Sequence, residues 1–167
     1  MNRQLLLATL KSIHFLRGVS QEHLEQIADV AQCCDYESHE VVFHQGDAAE
    51  NIYLVVFGKL SIELGDAATD RKCIVTVGPG EMLGWSSLLD HPALAATARA
   101  LEATRLVLVD RARLLAICEE DAEFGFQFMR RVALALAKRL NATWGQLSRL
   151  QVAHFLPVTA ALGETEE

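Results

Sequence analysis

Short β-prone segments, each followed by turn-forming residues, dominate the sequence from Asp35 to Val109. The segments are Val41–Phe43, Ile52–Phe57, Leu60–Leu64, Cys73–Val77, Ala95–Leu101 and Arg105–Val109. Strands this short and this evenly spaced are typical of an antiparallel sandwich or barrel rather than of a sheet with helices between its strands. The sequence predicts about six to eight antiparallel strands, and Gly58-Lys59 fits a two-residue hairpin turn between two of them.

Two short helices are predicted before the strands. Leucine and isoleucine recur at helical spacing over residues 4–16, and Gly18 ends that helix. Ser20 is a suitable N-cap for a second helix whose apolar face extends to Ala31. The fold class expected is therefore mainly β with flanking helices.

A short helix capped by Asp110 and a long helix from about Ala122 to about Val152 follow the strands. Phe124 and Phe128 form an apolar flank able to pack on the sheet. A second stripe repeats at intervals of three, four and seven residues, which suits the seam of a two-stranded coiled coil. Its residues are Met129, Leu136, Leu140, Thr143, Leu147 and Leu150. The pattern predicts a parallel homodimer; the alternative is a broad face buried within one monomer.

Composition restricts the class of protein. The chain has 167 residues, a net charge of −7, a pI near 5.3 and a mean hydropathy of +0.17. The acidic balance argues against a nucleic-acid surface, and no apolar run approaches the roughly 20 residues needed to cross a bilayer. The four cysteines show neither metal-binding nor CxxC spacing. We expect a cytoplasmic protein with reduced thiols that binds neither DNA nor a membrane.

The segment Gly78–Leu89 interrupts the strands with a Gly-Pro-Gly turn and then Gly84-Trp85-Ser86-Ser87. Hydroxyl residues followed by two leucines predict the first turn of a short helix docked on a core. Such a helix start offers unpaired N–H groups and a partial positive charge, which suits an anionic ligand. The alternative is a turn followed by a packed helical turn with no ligand.

The order of these elements resembles a cyclic-nucleotide-binding domain, and above all the sensor half of the catabolite activator/FNR-type regulators. The matching stretches are Val41–Asp47, Ile52–Leu60, Gly78–Gly84, Ala96–Leu101, Val109–Arg111 and Lys138–Leu140. The resemblance implies an antiparallel β-roll, jelly-roll-like, with N-terminal helices and a long C-terminal helix. It also implies four segments: an N-terminal helical segment (1–34), the β-roll with its following helix (35–118), a dimerisation helix (119–156) and a tail (157–167).

The resemblance further implies a phosphate-binding cassette from Gly84 to about Ala96. In the family a glutamate that binds the ribose follows this glycine, and here that position is Trp85. The arginine that pairs with the cyclic phosphate, and the hydroxyl residue after it, correspond to Leu94 and Ala95. Arg99 is five residues further along a strand and faces the other way. The candidate pocket residues are Gly84, Trp85, Ser86, Ser87, Leu94, Ala95 and Ala96, with Thr143 and Trp144 of the long helix where the family contacts the base.

The function expected is a non-enzymatic regulatory or sensor module with weak or lost cAMP and cGMP binding and room for another small ligand. One alternative is a dimeric adaptor for a protein partner that keeps only a vestigial pocket. A second is a haem or redox sensor, for which the scattered histidines and the Cys33-Cys34 pair, placed at a helix end, are the candidates. About fifteen residues follow the long helix, too few for a helix-turn-helix domain. The ligand itself and any cofactor remain open at this point.

Overall fold

The structure, a computed structural model, describes residues 2–65, 72–89 and 92–154, with side chains of the last helix described through Gly145. The α-helices are α1 (Arg3–Ser12), α2 (Gln21–Asp29), α3 (Arg111–Glu120) and α4 (Ala122–His154). The strands are β1 (Ala31–Tyr36), β2 (Val41–Phe43), β3 (Asn51–Phe57), β4 (Leu60–Leu64), β5 (Lys72–Val77), β6 (Met82–Leu83), β7 (Thr97–Ala100) and β8 (Thr104–Asp110). Short 3₁₀ helices lie at His14–Leu16 and Trp85–Leu89.

The eight described strands form two antiparallel sheets. One sheet has the order β1-β8-β3-β6 and the other the order β2-β7-β4-β5. Apolar side chains from both sheets meet in one core, because alternate residues of each strand face the same side. The cluster comprises Phe43, Ala49, Tyr53, Val55, Leu60, Val77, Leu83, Leu94, Ala98, Leu106 and Leu108. The predicted β-roll with flanking helices and a long C-terminal helix is confirmed.

The predicted hairpin at Gly58-Lys59 is wrong. β3 pairs with β8 and β6, whereas β4 pairs with β5 and β7, so this turn carries the chain from one sheet to the other. A Cβ on Gly58 would lie 2.6 Å from the carbonyl oxygen of Ala103. The turn is therefore packed against the connection between β7 and β8. The strands on either side of it, β3 and β4, belong to different sheets.

The N-terminal boundaries also differ from the prediction. α1 ends at Ser12 because Ile13 adopts extended backbone, and a 3₁₀ turn follows. α2 begins as expected, with the Ser20 hydroxyl accepting from the His23 N–H at 3.2 Å. The chain then enters β1 at Ala31, which pairs with Val109 of β8. Cys33 and Cys34 therefore lie on a strand and not at a helix end, because pairing with β8 extends the sheet into this stretch.

Chain contacts divide the protein into two compact units, Met1–Val132 and Ala133–Glu167. In the first unit, the N-terminal helical segment packs on the first turns of α4, where Phe15 and Phe128 meet edge to face at 5.6 Å. Phe124, Phe128 and Val132 are buried. The predicted packing of this flank on the sheet is only part of the picture, because the aromatic partners of Phe124 and Phe128 are His23 and Phe15 of the N-terminal segment.

The second unit contains the remainder of α4. Leu140 is 49% exposed and Trp144 is 59% exposed, while Leu136 and Thr143 are half-buried. The side chains of Leu147 and Leu150 lie outside the described residues, as does the predicted tail, residues 157–167. Within the described ranges, no helix is both long enough and apolar enough to cross a bilayer.

Candidate functional site

The Gly-Pro-Gly turn fixes the entry to the cassette. The Gly80 N–H donates to the Val55 carbonyl at 2.8 Å, and the Val55 N–H donates to the Glu81 carbonyl at 3.0 Å. The Glu81 carboxylate accepts from the Gly78 N–H at 2.9 Å. These bonds hold the turn against β3, so the chain enters β6 and then the cassette from a fixed position.

Gly84 turns the chain out of β6 into the 3₁₀ helix. Its φ is +75°, and a Cβ here would lie 2.9 Å from the Tyr53 ring and 3.0 Å from the Asn51 carbonyl oxygen. Only glycine combines this left-handed backbone with so close an approach. The 3₁₀ helix of the predicted cassette begins directly after this turn.

The cassette helix provides weaker anion-binding groups than the sequence suggested. The Ser87 hydroxyl donates to the Gly84 carbonyl at 2.7 Å, and the Ser87 N–H donates to the same oxygen at 3.2 Å. Ser87 is fully buried, and Ser86 is 7% exposed. The Ser87 hydroxyl thus closes the turn internally, and a 3₁₀ helix of five residues has too few aligned peptides for a substantial dipole.

Leu94, at the position predicted for the phosphate-binding arginine, lies in the apolar core of the roll and is 4% exposed. Its N–H donates to the Asp47 carbonyl and its carbonyl accepts from the Gly46 N–H, both at 2.8 Å. This segment is thereby fixed on the connection between β2 and β3. Ala95, the next residue, is exposed and Ala96 is half-buried.

Arg99 does not replace the missing cation. Ala98 belongs to the core, so Arg99 points to the opposite face of β7. There its Nε lies 3.4 Å from the Glu63 carboxylate and its Nη1 donates to the His39 carbonyl at 2.9 Å. The Ser61 hydroxyl donates to the same carboxylate at 2.7 Å. Arg99 is therefore engaged away from the cassette.

Trp85, the first residue of the cassette helix, is half-buried and is not part of the apolar core cluster. Within the described ranges its ring and its indole N–H have no aromatic or hydrogen-bond partner. The next two cassette positions after Leu89, Asp90 and His91, lie outside the described residues.

Thr143 and Trp144 belong to the second unit and are described within it. The Thr143 hydroxyl donates to the Arg139 carbonyl one turn earlier at 3.0 Å, and Trp144 is mostly exposed. Among the seam residues, Met129 of the first unit is half-buried. The assignment of these residues to a pocket or to a dimer seam stays a prediction.

The cysteines and histidines are distributed over separate elements. All four thiols are free, and burial raises the pKa of Cys33 and of Cys34 and raises that of Cys118 to about 11. A raised pKa keeps a thiol protonated and unreactive at neutral pH. In the part of the chain that the structure describes, no group of three His, Cys, Asp or Glu side chains could hold a metal ion.

The structure brings together one Ser/His/Asp arrangement that the sequence did not reveal. The Ser20 hydroxyl lies 2.7 Å from His23 Nδ1, and His23 Nε2 lies 3.1 Å from the Asp121 carboxylate. The imidazole also stacks on Phe124, with ring centroids 4.1 Å apart. These residues line a recess of about 280 Å³, as does Arg131, which donates to the Arg17 carbonyl.

This arrangement joins two helix ends. The Ser20 oxygen caps α2, and Asp121 caps α4 by accepting from the N–H groups of Glu123 and Phe124 at 3.0 Å. These bonds lower the pKa of Asp121, the Phe124 N–H most of all. Ser20 Oγ and Asp121 Oδ1 each serve a cap, and His23 lies between them, so the trio attaches α2 to α4. Ser20 was predicted as a cap from the sequence, but the contact of its partner His23 with Asp121, across 98 residues, was not.

Comparison with known proteins identifies the family to which this fold and cassette belong. The family model described as "Cyclic nucleotide-binding domain" matches residues 34–121, which include β2 to β8, the cassette and α3. The chain belongs to the cyclic-nucleotide-binding domain family. The correspondence of Trp85 and Leu94 to the family's glutamate and arginine stays a prediction.

Proteins similar to this chain include a cyclic AMP receptor protein and a protein kinase regulatory subunit. The "Cyclic AMP receptor protein" of Thermus thermophilus is 30% identical over 108 residues, covering 65% of this chain and 50% of its own length. A cyclic nucleotide-binding domain from Methylobacillus flagellatus has a TM-score of 0.71 at 20% identity, covering 98% of this chain and 86% of its own. The regulatory subunit of a cAMP-independent protein kinase A from Trypanosoma cruzi has a TM-score of 0.61 at 20% identity, covering 71% of this chain and 42% of its own. The chain spans about half the length of the curated relatives it matches first.

Proposed function

We propose that the protein is a non-enzymatic regulatory module whose cyclic-nucleotide-binding fold senses a small ligand, and that cAMP and cGMP bind it weakly or not at all. The observation that supports weak nucleotide binding is the burial of Leu94 in the roll core, at the position predicted for the family's phosphate-binding arginine. Gly84, Trp85, Ser86, Ser87, Ala95 and Ala96 are the proposed surroundings of the ligand.

The expected loss of nucleotide affinity is large. A bidentate, charge-assisted contact between arginine and phosphate in a sheltered site is worth about 2–5 kcal/mol when one partner is removed. That range corresponds to a loss of affinity of about 30-fold to several thousand-fold. Arg99 offers no compensation, because Glu63 and the His39 carbonyl hold it on the other face of β7.

Isothermal titration calorimetry with cAMP and cGMP tests the proposal. We expect dissociation constants well above micromolar for the wild type. The double variant Trp85→Glu with Leu94→Arg supplies both family residues and should gain affinity for cAMP, whereas Arg99→Gln should leave nucleotide binding unchanged. Sub-micromolar binding of either nucleotide by the wild type would refute the proposal.

The fold also accommodates uncharged ligands. The Trypanosoma cruzi regulatory subunit was solved bound to guanosine, which carries no phosphate. A ligand of a protein with this fold therefore need not carry a phosphate. We accordingly place ligand sensing ahead of a purely structural role.

A dimeric adaptor with a vestigial pocket is the second candidate, and the burial of Leu94 in the core favours it. A thermal-shift screen of nucleotides, nucleosides, small organic acids, aromatics and haem separates the two functions. A ligand present at a hundred times its dissociation constant stabilises the folded state by about 2.7 kcal/mol. An adaptor without a working pocket should show no ligand-dependent shift.

We also propose a parallel homodimer formed by α4 along Met129, Leu136, Leu140, Thr143, Leu147 and Leu150. The 49% exposure of Leu140 in the second unit supports it, because soluble chains rarely leave a large apolar patch in water. Replacing Leu140 and Leu147 by Asp should give monomers in light scattering, and replacing the exposed Lys138 by Asp should not. A wild type that is monomeric at high micromolar concentration would show that the seam is misread.

A further inference from the structure

We propose that Ser20 is a nucleophilic serine that accepts an acyl group from a small, uncharged, activated ester, with His23 as its base and Asp121 as the carboxylate that positions the imidazole. All three residues line one recess within the first unit, where α2 meets the start of α4. The proposal does not depend on the cassette or on ligand sensing. It adds a covalent modification site to the regulatory module.

The position of the imidazole proton follows from the two neighbours of the ring. Backbone N–H groups of α4, that of Phe124 above all, lower the pKa of the Asp121 carboxyl, so this group is an anion at neutral pH. A carboxylate only accepts hydrogen bonds, and it lies 3.1 Å from His23 Nε2. In the neutral ring the proton is therefore on Nε2. Nδ1 is then an acceptor, and the Ser20 hydroxyl, 2.7 Å away, donates to it.

This geometry is that of an activated nucleophile. A hydroxyl lies within hydrogen-bond reach of a base whose second nitrogen is held by a third group. In the usual Ser-His-Asp arrangement Nε2 faces the serine, whereas here the ring is reversed and Nδ1 takes that role. The His23 ring is 16% exposed and stacks on Phe124, which fixes its plane. Ser20 itself is exposed and open to a reagent.

The start of α2 provides donors for the oxygen anion that forms when a carbonyl is attacked. The hydroxyl oxygen of Ser20, the N-cap, accepts from the His23 N–H at 3.2 Å. The N–H groups of Gln21 and Glu22, in the first turn, have no acceptor among the described residues, as is usual at the start of a helix. Backbone N–H groups beside a nucleophile stabilise such an anion.

The recess determines which ester fits. Its volume of about 280 Å³ lies just below the roughly 300–1,000 Å³ of typical ligand sites, so the ester must be small. Two carboxylates, those of Asp121 and Glu123, and one guanidinium, that of Arg131, line it. With His23 neutral, the recess carries a net negative charge. It therefore repels an anionic reagent such as an acyl phosphate and favours an uncharged one.

The reaction is an acyl transfer. Ser20 Oγ bonds to the carbonyl carbon of the ester while its proton passes to His23 Nδ1, and Asp121 stabilises the imidazolium. The tetrahedral intermediate then collapses, the bond to the leaving oxygen breaks, and that oxygen takes the proton from Nδ1. The products are acyl-Ser20 and a free alcohol or phenol.

Acetylation by p-nitrophenyl acetate, a small uncharged ester, tests the proposal. The protein is treated at neutral pH and digested, and acetylation at each serine is followed by mass spectrometry. Ser12 and Ser38 are internal controls, because both are exposed and their hydroxyls donate to backbone carbonyls rather than to a base. We expect Ser20 to be acetylated at least tenfold faster than either. Equal rates would overturn the proposal, and so would an acetyl group on His23 in place of Ser20.

Two variants separate this chemistry from helix capping. Ser20→Asn keeps an N-cap side chain but removes the nucleophile, so the adduct should disappear from this position. Asp121→Asn keeps an oxygen for the α4 N–H groups but presents an amide donor to His23 Nε2, which moves the ring proton to Nδ1. We expect this variant to acetylate Ser20 at least tenfold more slowly with unchanged helix content. Acetylation at the wild-type rate would overturn the positioning role of Asp121.

The ¹⁵N chemical shifts of the His23 ring report the tautomer directly. They should place the proton on Nε2 in the wild type and on Nδ1 in Asp121→Asn, a change that a merely structural role of the carboxylate does not predict. A wild-type ring protonated on Nδ1 alone would overturn the proposal. If Asp121→Asn does not fold, the comparison of Ser20 with Ser12 and Ser38 in the wild type remains decisive.

Discussion

Replacing Gly84 by alanine tests whether the cassette turn is fixed as the structure shows. The φ of +75° costs an alanine about 1–2 kcal/mol in left-handed strain. The new Cβ would also lie 2.9 Å from the Tyr53 ring and 3.0 Å from the Asn51 carbonyl oxygen, and such overpacking costs about 1–3 kcal/mol. We expect the free energy of unfolding to fall by about 2–5 kcal/mol.

Gly46→Ala is the matched control. Gly46 also has a positive φ, +89°, but nothing lies within 4 Å of the Cβ it would acquire. Its substitution should therefore cost only the strain, about 1–2 kcal/mol. The difference between the two variants isolates the contact of the cassette turn with β3.

Guanidinium denaturation followed by far-ultraviolet circular dichroism measures both variants. Thermal unfolding should show the same order, because 1 kcal/mol corresponds to about 2–4 °C in a chain of this size. Equal losses in Gly84→Ala and Gly46→Ala would refute the reasoning, since the contacts with Tyr53 and Asn51 would then impose no cost. A larger loss in Gly46→Ala would refute it as well.

Three further predictions concern other parts of the first unit. Phe128→Ala should lower the free energy of unfolding by about 3–5 kcal/mol, whereas Phe126→Ala, at a residue 66% exposed on the same helix, should change it by at most about 0.5 kcal/mol; similar losses would contradict the described packing. The pKa of Asp121 is lowered chiefly by an α4 backbone N–H, so the stability it provides is present above its ordinary pKa and lost as pH falls through the lowered value. Asp121→Asn should flatten the stability profile below about pH 4, and an unchanged profile would show that the carboxylate is not engaged. Mass spectrometry after iodoacetamide at neutral pH should find the exposed Cys73 alkylated before Cys118, whose pKa is about 11.

Local patterns in the sequence were enough to predict six of the eight described strands, because each of the six is short, β-prone and ended by turn residues. The pairing between strands was harder to predict from the sequence. The sequence of Gly58-Lys59 fits a hairpin, yet β3 pairs with β8, whose residues follow about fifty positions later. The residues Ala31–Cys34 read as the end of a helix for the same reason, since only pairing with β8 makes them a strand. Long-range contacts decided both cases.

The candidate site, too, was predicted from the sequence only in part. The positions of Trp85 and Leu94 in the cassette follow from counting between the glycines and the next strand, and the structure puts Leu94 in the core. Counting did not reveal that the Ser87 hydroxyl would bond to the Gly84 carbonyl. Nor did it reveal the meeting of Ser20, His23 and Asp121, because those residues come together only after α2 and α4 have packed.

Leu94 and Trp85 differ in how far the protein covers their side chains, and this difference bears on whether the site binds a ligand. Leu94 needs no ligand, because the core already covers it. Trp85 is half-buried without a partner among the described residues, and each Å² of apolar surface left in water forgoes about 25 cal/mol. A protein that used this fold only for docking would gain by packing Trp85 or by replacing it with a small residue. The indole is therefore more easily explained by a ligand that covers it than by an adaptor, which is why we place sensing first.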